Sequence, residues 1–163
     1  MTILVAYAPR PEGEAALEKG IEAATRRNER LIVVNAAVGG PATLMLDTDT
    51  AVNAFTWNAA LRASGAALAA TDAVISGEME NAFCSVRPPG HHATRKQAMG
   101  FCFFNNVAIA AKYALMRHQL ERVAIIDFDV HHGNGTEDIC AGDPNILMCS
   151  IFQHPSFPFS GDK

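Results

Sequence analysis

The sequence predicts an α/β protein with a largely parallel sheet and helices on both faces. Three observations point there. Short apolar runs rich in β-forming residues recur along the 163 residues: "TILVAYA", "RLIVVN", "NAFCSV", "RVAIIDFDV" and "NILMCSIF". Stretches with helical spacing of apolar residues lie between them, and strands alternating with helices are the signature of parallel α/β architecture. With 49% apolar residues, the chain can also bury a substantial core.

Residues 2–8 read as a buried strand ended by Pro9 and Pro11. A helix over about 12–28 comes next, with Ala15, Ala16, Leu17, Ile21 and Ala24 at helical spacing, and a strand returns at 31–36. Together these form one βαβ unit over residues 1–40. "VGGPAT" at 38–43 breaks any regular element, so the predicted boundary falls there and residues 41–163 form the second part. The apolar strands of the opening unit favour docking on that second part, since leaving them solvated forgoes roughly 1.5–3 kcal/mol per large side chain.

Beyond the boundary lies a helix over about 56–76, with Leu61, Leu68, Val74 and Ile75 broadly on one side and Gly77 where it stops. A strand at 81–86 ends at the prolines of "RPPG". Asn105 or Asn106 can cap a helix over 105–119, and two further strands lie at 122–129 and 145–151.

A formal net charge of −4, with no run of Lys or Arg, offers no general attraction to nucleic acid or anionic membranes. No apolar stretch reaches membrane-spanning length and the start lacks a signal-peptide pattern, so the expected location is cytoplasmic. Cys84, Cys102, Cys140 and Cys149 contain no CxxC pair and read as reduced, buried apolar residues.

The chemistry concentrates in two histidine pairs, "RPPGHH" at 87–92 and "DFDVHHG" at 127–133, both at strand ends. In an open α/β sheet, ligands gather beyond the carboxyl ends of the strands. Alternation along an extended segment puts Asp127, Asp129 and His131 on one face and Phe128 and Val130 in the opposite packing layer. Two carboxylates and an imidazole suit a cation, with zinc, iron and manganese all compatible with oxygen and imidazole donors. His91 and His92 can serve as general base and electrostatic partner, with Asp127 orienting one ring. The lone His118 and His154 read as surface or structural residues.

"RPPGHHA", "MGFCFFNNVAIAA", "IIDFDVHHGNGTEDI" and the upstream "TWNAALRASGAALAATDAV" resemble the central part of the histone deacetylase family, over residues 43–163. The class II-like members and the bacterial acetylpolyamine amidohydrolase and acetoin-utilisation relatives are the branch most resembled. The resemblance implies an arginase/deacetylase-like fold and zinc-dependent hydrolysis of an acetylated lysine, polyamine or related amine. It implies that Asp129 and His131 are zinc ligands, that His92 is general base and acid, and that His91 is an electrostatic partner held by Asp127. It further implies that Asn134 supports His92 and that Gly100 and Phe101 line the acyl-lysine tunnel. A potassium site is implied at Asp127, Asp129, His131, Ser150 and Ile151.

The family's third zinc ligand, an aspartate, and its carbonyl-polarising tyrosine have no match, since Tyr7 and Tyr113 sit in strand and helix contexts. Residues 1–40 resemble the opening of a universal stress protein. The expectation is therefore a truncated or hybrid chain with an incomplete fold and impaired activity. The alternative is a non-enzymatic α/β domain that retains the deacetylase motifs as structure. Nucleotide binding is disfavoured, because the chain contains neither GxGxxG nor GxxxxGK[ST]. Substrate identity and oligomeric state are not set by the sequence.

Overall fold

Parallel strand pairing dominates the computed structural model, which describes residues 2–7, 18, 22, 30–35 and 44–162. Two compact units emerge, one of residues 1–41 with 53–88 and the other of residues 42–52 with 89–163.

In the first unit, β1 (Thr2–Tyr7) lies between β2 (Arg30–Asn35) and β5 (Ala82–Cys84), parallel to both. The register pairs Thr2 with Arg30 on one side and with Ala82 on the other. The opening strands thus share a sheet with a segment beyond the break at 38–43, where the sequence suggested a boundary after residue 40. A Gly-Gly-Pro stretch marks a loop, and only strand pairing decides which elements share a core. The expected helix at 12–28 lies outside the described residues, apart from Glu18 and Glu22, which have helical backbone.

Helix α1 (Thr56–Ile75) buries Thr56, Ala59, Ala60, Ala63 and Ser64. The larger Leu61, Val74 and Ile75 stay exposed, contrary to the face read from the sequence. Small side chains allow close approach, so the alanine stripe makes the contact. The helix ends at Ser76, and Gly77 takes a left-handed φ of 78°.

The second unit opens with a short antiparallel pair, β3 (Leu44–Met45) and β4 (Ala51–Val52), which the sequence did not predict. Helix α2 (Asn106–His118) starts at Asn105, whose side chain accepts the Ala108 N–H. Arg117 and His118 in its last turn complement the helix dipole. Strands β6 (Val123–Asp127) and β7 (Ile146–Ser150) pair in parallel, joined through α3 (Asn134–Cys140). Ala108 and Ala111 from α2, Ile125, Ile146 and Cys140 form one buried cluster, with Leu115, Val123 and Ile139 around it.

Strand β6 stops at Asp127, so residues 128–131 do not continue its alternation. Phe128 and Val130 are 85% and 54% exposed, which corrects their expected place in a packing layer. Cys102 and Cys140 are buried, Cys84 is half-buried and Cys149 is exposed; all four are free thiols. Cys149 departs from expectation because β7 turns Ile146 and Cys149 to opposite faces.

Candidate active site

All the predicted site residues lie in the second unit. Helix α3 anchors the loop that carries His91 and His92. The His91 carbonyl accepts the N–H groups of Gly135 and Thr136 at 2.9 and 3.1 Å. Asn105, 3% exposed, donates through Nδ2 to Ala93 O and to Thr136 Oγ1, at 3.2 and 3.1 Å. Arg95 closes the far side of the loop, with Nε and Nη2 donating to the carbonyls of Asp138 and Ile139. These bonds satisfy both the helix ends and the loop carbonyls, and they leave the loop little freedom.

The two imidazoles stand 4.0 Å apart, centroid to centroid. His91 Nδ1 lies 2.9 Å from Asp127 Oδ2, and His92 Nδ1 lies 2.9 Å from Asn134 Oδ1. Asn134 Nδ2 donates to Met99 Sδ at 3.4 Å, which orients the amide with its oxygen toward His92. With Asn134 Oδ1 accepting, His92 carries its proton on Nδ1 and keeps Nε2 free as a base. Burial lowers the His92 pKa below its ordinary value; the Asn134 bond opposes this, and the neighbouring His91 and His131 add to it. The ring is therefore neutral at pH 7.

Asp129 and His131 stand beside this pair, with the His131 ring 5.8 Å from that of His92. Asp129 Oδ1 accepts the His131 N–H at 2.8 Å and lies 3.0 Å from His131 Nδ1. Both side chains are about half exposed, 49% and 43%. Burial pushes the Asp129 carboxyl up, but the His131 N–H and ring, with help from His91, outweigh it and hold the group below its usual range. An ionised carboxylate oxygen and an imidazole nitrogen at this spacing fit a shared zinc ion, since ligands ~2.0–2.1 Å from a tetrahedral metal stand roughly 3.3 Å apart. Among the described residues, no group of three or more His, Cys, Asp or Glu side chains is arranged to hold a metal.

Gly100 and Phe101 form a tight turn with left-handed φ of 57° and 63°. Asp49 Oδ1 accepts the Gly100 N–H at 3.1 Å, and Thr50 Oγ1 accepts the Phe101 N–H at 3.0 Å. Phe101 is 59% exposed. A Cβ at Gly100 would collide with the His92 ring. Gly100→Ala is thus expected to cost about 1–2 kcal/mol from backbone conformation alone and to displace His92 further. A urea melt and the His92 ring resonances check this; an unchanged midpoint and unchanged shifts would refute it.

Ser150 pairs with Asp127 across the β6–β7 ladder, and its Oγ is buried with no hydrogen-bond partner among the described residues. The next residue, Ile151, is exposed and donates its N–H to Asp127 O at 3.0 Å. Tyr113, on α2, packs against His118 at 5.4 Å. Three elements of this region were not anticipated. Phe157 stands edge-on to His92 at 5.0 Å, Asp49 and Thr50 brace the 100–101 turn, and His132 is buried at 4% exposure. No local pattern marks Phe157, which arrives from a segment without regular structure. The second histidine of "VHHG" was a visible but unassigned signal.

The model of the histone deacetylase domain family matches residues 14–163. A probable deacetylase of Archaeoglobus fulgidus is 40% identical over 148 residues, covering 91% of this chain and 40% of the relative. A histone deacetylase-like amidohydrolase of Pseudomonas aeruginosa is 45% identical over 130 residues, covering 80% of this chain and 33% of the relative. The chain therefore spans between a third and two fifths of these relatives' length. Among solved structures, the HD domain of HDA15 is similar with a TM-score of 0.77 and 30% identity, over 93% of this chain and 51% of that one. The family match takes in most of the opening segment, and the resemblance of residues 1–40 to a universal stress protein finds no support. With its two histidine pairs, their carboxylate and amide partners, and a family match over all but the first 13 residues, the chain belongs to the histone deacetylase domain family.

Proposed function

We propose that the second unit carries the catalytic centre of a zinc-dependent deacetylase that hydrolyses the amide of an acetylated lysine, polyamine or related amine. The main support is the paired imidazoles, each engaged at Nδ1 by an acceptor and set beside the Asp129–His131 pair. Asp129 and His131 would hold the zinc ion. When bound, zinc supplies Lewis-acid polarisation of the amide carbonyl and acidifies water. Nε2 of the neutral His92 takes the proton of the attacking water as the new C–O bond forms, and returns it to the amine as the C–N bond breaks. His91, held by Asp127 at 2.9 Å, would act as the electrostatic partner beside His92. Gly100 and Phe101 would border the acyl-lysine channel.

A potassium ion at Asp127, Asp129 and His131, with backbone oxygens near Ser150 and Ile151, belongs to the same proposal, and the buried Ser150 Oγ, which nothing among the described residues engages, is the observation that favours it. A cytoplasmic location, with no nucleic-acid or membrane partner, belongs to the same proposal. No helix among the described residues is long and apolar enough to cross a membrane.

The pH dependence follows from the lowered pKa of His92. Its neutral, proton-accepting form persists below pH 6.5, so the acid limb of kcat/KM is expected there. For stability the sign is opposite to that of a salt-bridged histidine. No penalty applies above the unfolded pKa, and stability falls as pH drops from there through the folded value. A kcat/KM limb centred above 6.5 would count against His92 as the base.

Metal analysis with an acetyl-lysine assay tests the proposal. With two zinc donors in place and no three-ligand group among the described residues, the 163-residue polypeptide by itself is expected to bind zinc weakly and to turn over slowly, its activity impaired. Tight stoichiometric zinc with fast hydrolysis would overturn the expected impairment. Absence of zinc and of hydrolysis in a protein carrying the whole deacetylase domain would favour the non-enzymatic alternative.

A further inference from the structure

The segment after β7 crosses the active site and is tied at both ends. At its start, Ile151 and Gln153 donate their N–H groups to Asp127 O and Val130 O, at 3.0 and 2.9 Å. At its far end the tie is made by side chains. Ser160 Oγ lies 2.8 Å from His132 Nδ1, and His132 Nε2 lies 3.1 Å from Glu137 Oε2 on α3. The His132 ring is buried and packs against Phe152 at 4.6 Å. A carboxylate oxygen accepts, so Nε2–H of His132 donates to Glu137, while Nδ1 and the Ser160 hydroxyl share the second hydrogen bond. Between the two ties, the Phe157 ring stands 5.0 Å from His92 and 6.1 Å from His131, close to perpendicular to both.

We propose that Ser160, His132 and Glu137 form a latch that positions Phe157 as a wall of the acyl pocket beside His92. This rests on the deacetylase reading only for what the pocket holds; the latch itself rests on the hydrogen bonds. Ser160 and His132 are positioning residues in this scheme, acting on substrate through Phe157. Among the described residues, the backbone bonds that tie this segment to the β6 end stop at Gln153, and the Ser160 bond is the next hydrogen bond that holds the stretch carrying Phe157 to the rest of the unit. The consequence of its loss should fall on the shape of the pocket more than on the proton transfer at His92.

The experiment uses the full 163-residue chain and reads ring-to-ring cross-relaxation between Phe157 and His92 by NMR, which needs no catalysis. Ser160→Ala is expected to lose these cross-peaks while the Ile125 and Ile146 methyl signals of the core stay in place. Ser160→Thr, which keeps the hydroxyl, should retain them. Glu137→Ala, at an exposed position that avoids a folding defect, should lose both the slowly exchanging His132 Nε2 proton and the cross-peaks, whereas Glu137→Gln should keep them. In a zinc-loaded protein carrying the whole deacetylase domain, Ser160→Ala should raise KM more than it lowers kcat. Persistence of the Phe157–His92 cross-peaks in Ser160→Ala and Glu137→Ala would overturn the latch, whatever the activity. Their loss here, together with no hydrolysis by a protein carrying the whole deacetylase domain, would uphold the latch and reject the deacetylase reading.

Discussion

In a protein carrying the whole deacetylase domain, His131→Ala and Asp129→Ala are each expected to strip zinc. A structural zinc site with four protein ligands is worth about 10–16 kcal/mol, or roughly 2.5–4 kcal/mol per ligand, and loss of either side chain on that scale weakens zinc binding by about 10²-fold or more. The two substitutions should not behave alike in every respect. Asp129 Oδ1 also accepts the His131 N–H at 2.8 Å, so its removal frees the loop as well as losing a donor. His131→Ala removes only the ring and should leave that loop bond in place. Competition against a chromophoric chelator measures the affinity, and hydrogen exchange at the His131 N–H separates the two cases. Zinc retained at wild-type affinity in either variant would show that the metal lies elsewhere.

His92→Ala should keep the metal and lose turnover, the reverse combination. General acid–base catalysis by a positioned histidine contributes about 10²–10⁴-fold, and His92 is the ring whose Nε2 is left unengaged and whose burial keeps it neutral. Asn134→Ala should cost less, because it removes the group that orients His92 and not the base itself. The two losses should not add in the double variant, since both act through one ring. Steady-state kinetics on an acetyl-lysine substrate with parallel metal analysis reads all three. If His92→Ala retained most of kcat, the base would have to be sought at His91, 4.0 Å away.

The alternation of strands and helices was legible in the sequence because each element carries its own signal. Strands at 123–127 and 146–150 and helices at 56–75 and 106–118 fall within a few residues of where apolar periodicity and the Asn105 cap put them. The histidine pairs were legible for a related reason: paired titratable groups at strand ends lie where α/β sheets bind ligands. Helix α3 was not legible, since "NGTEDIC" is short, starts around glycine and shows no periodicity. The exposed position of Phe128 and Val130 was missed because alternation holds only while a strand continues, and β6 ends at Asp127.

Tertiary structure alone decided the couplings between distant segments. Residues 91 and 127, 92 and 134, and 132 and 160 meet through hydrogen bonds across 28–42 positions of chain. Nothing local specifies such a meeting, because a hydrogen bond between remote side chains exists only after packing has fixed both backbones. Phe157 is the clearest case. As one aromatic among nine phenylalanines it carries no local mark, and it becomes part of the site only because the chain after β7 is held at both ends across the two histidine rings.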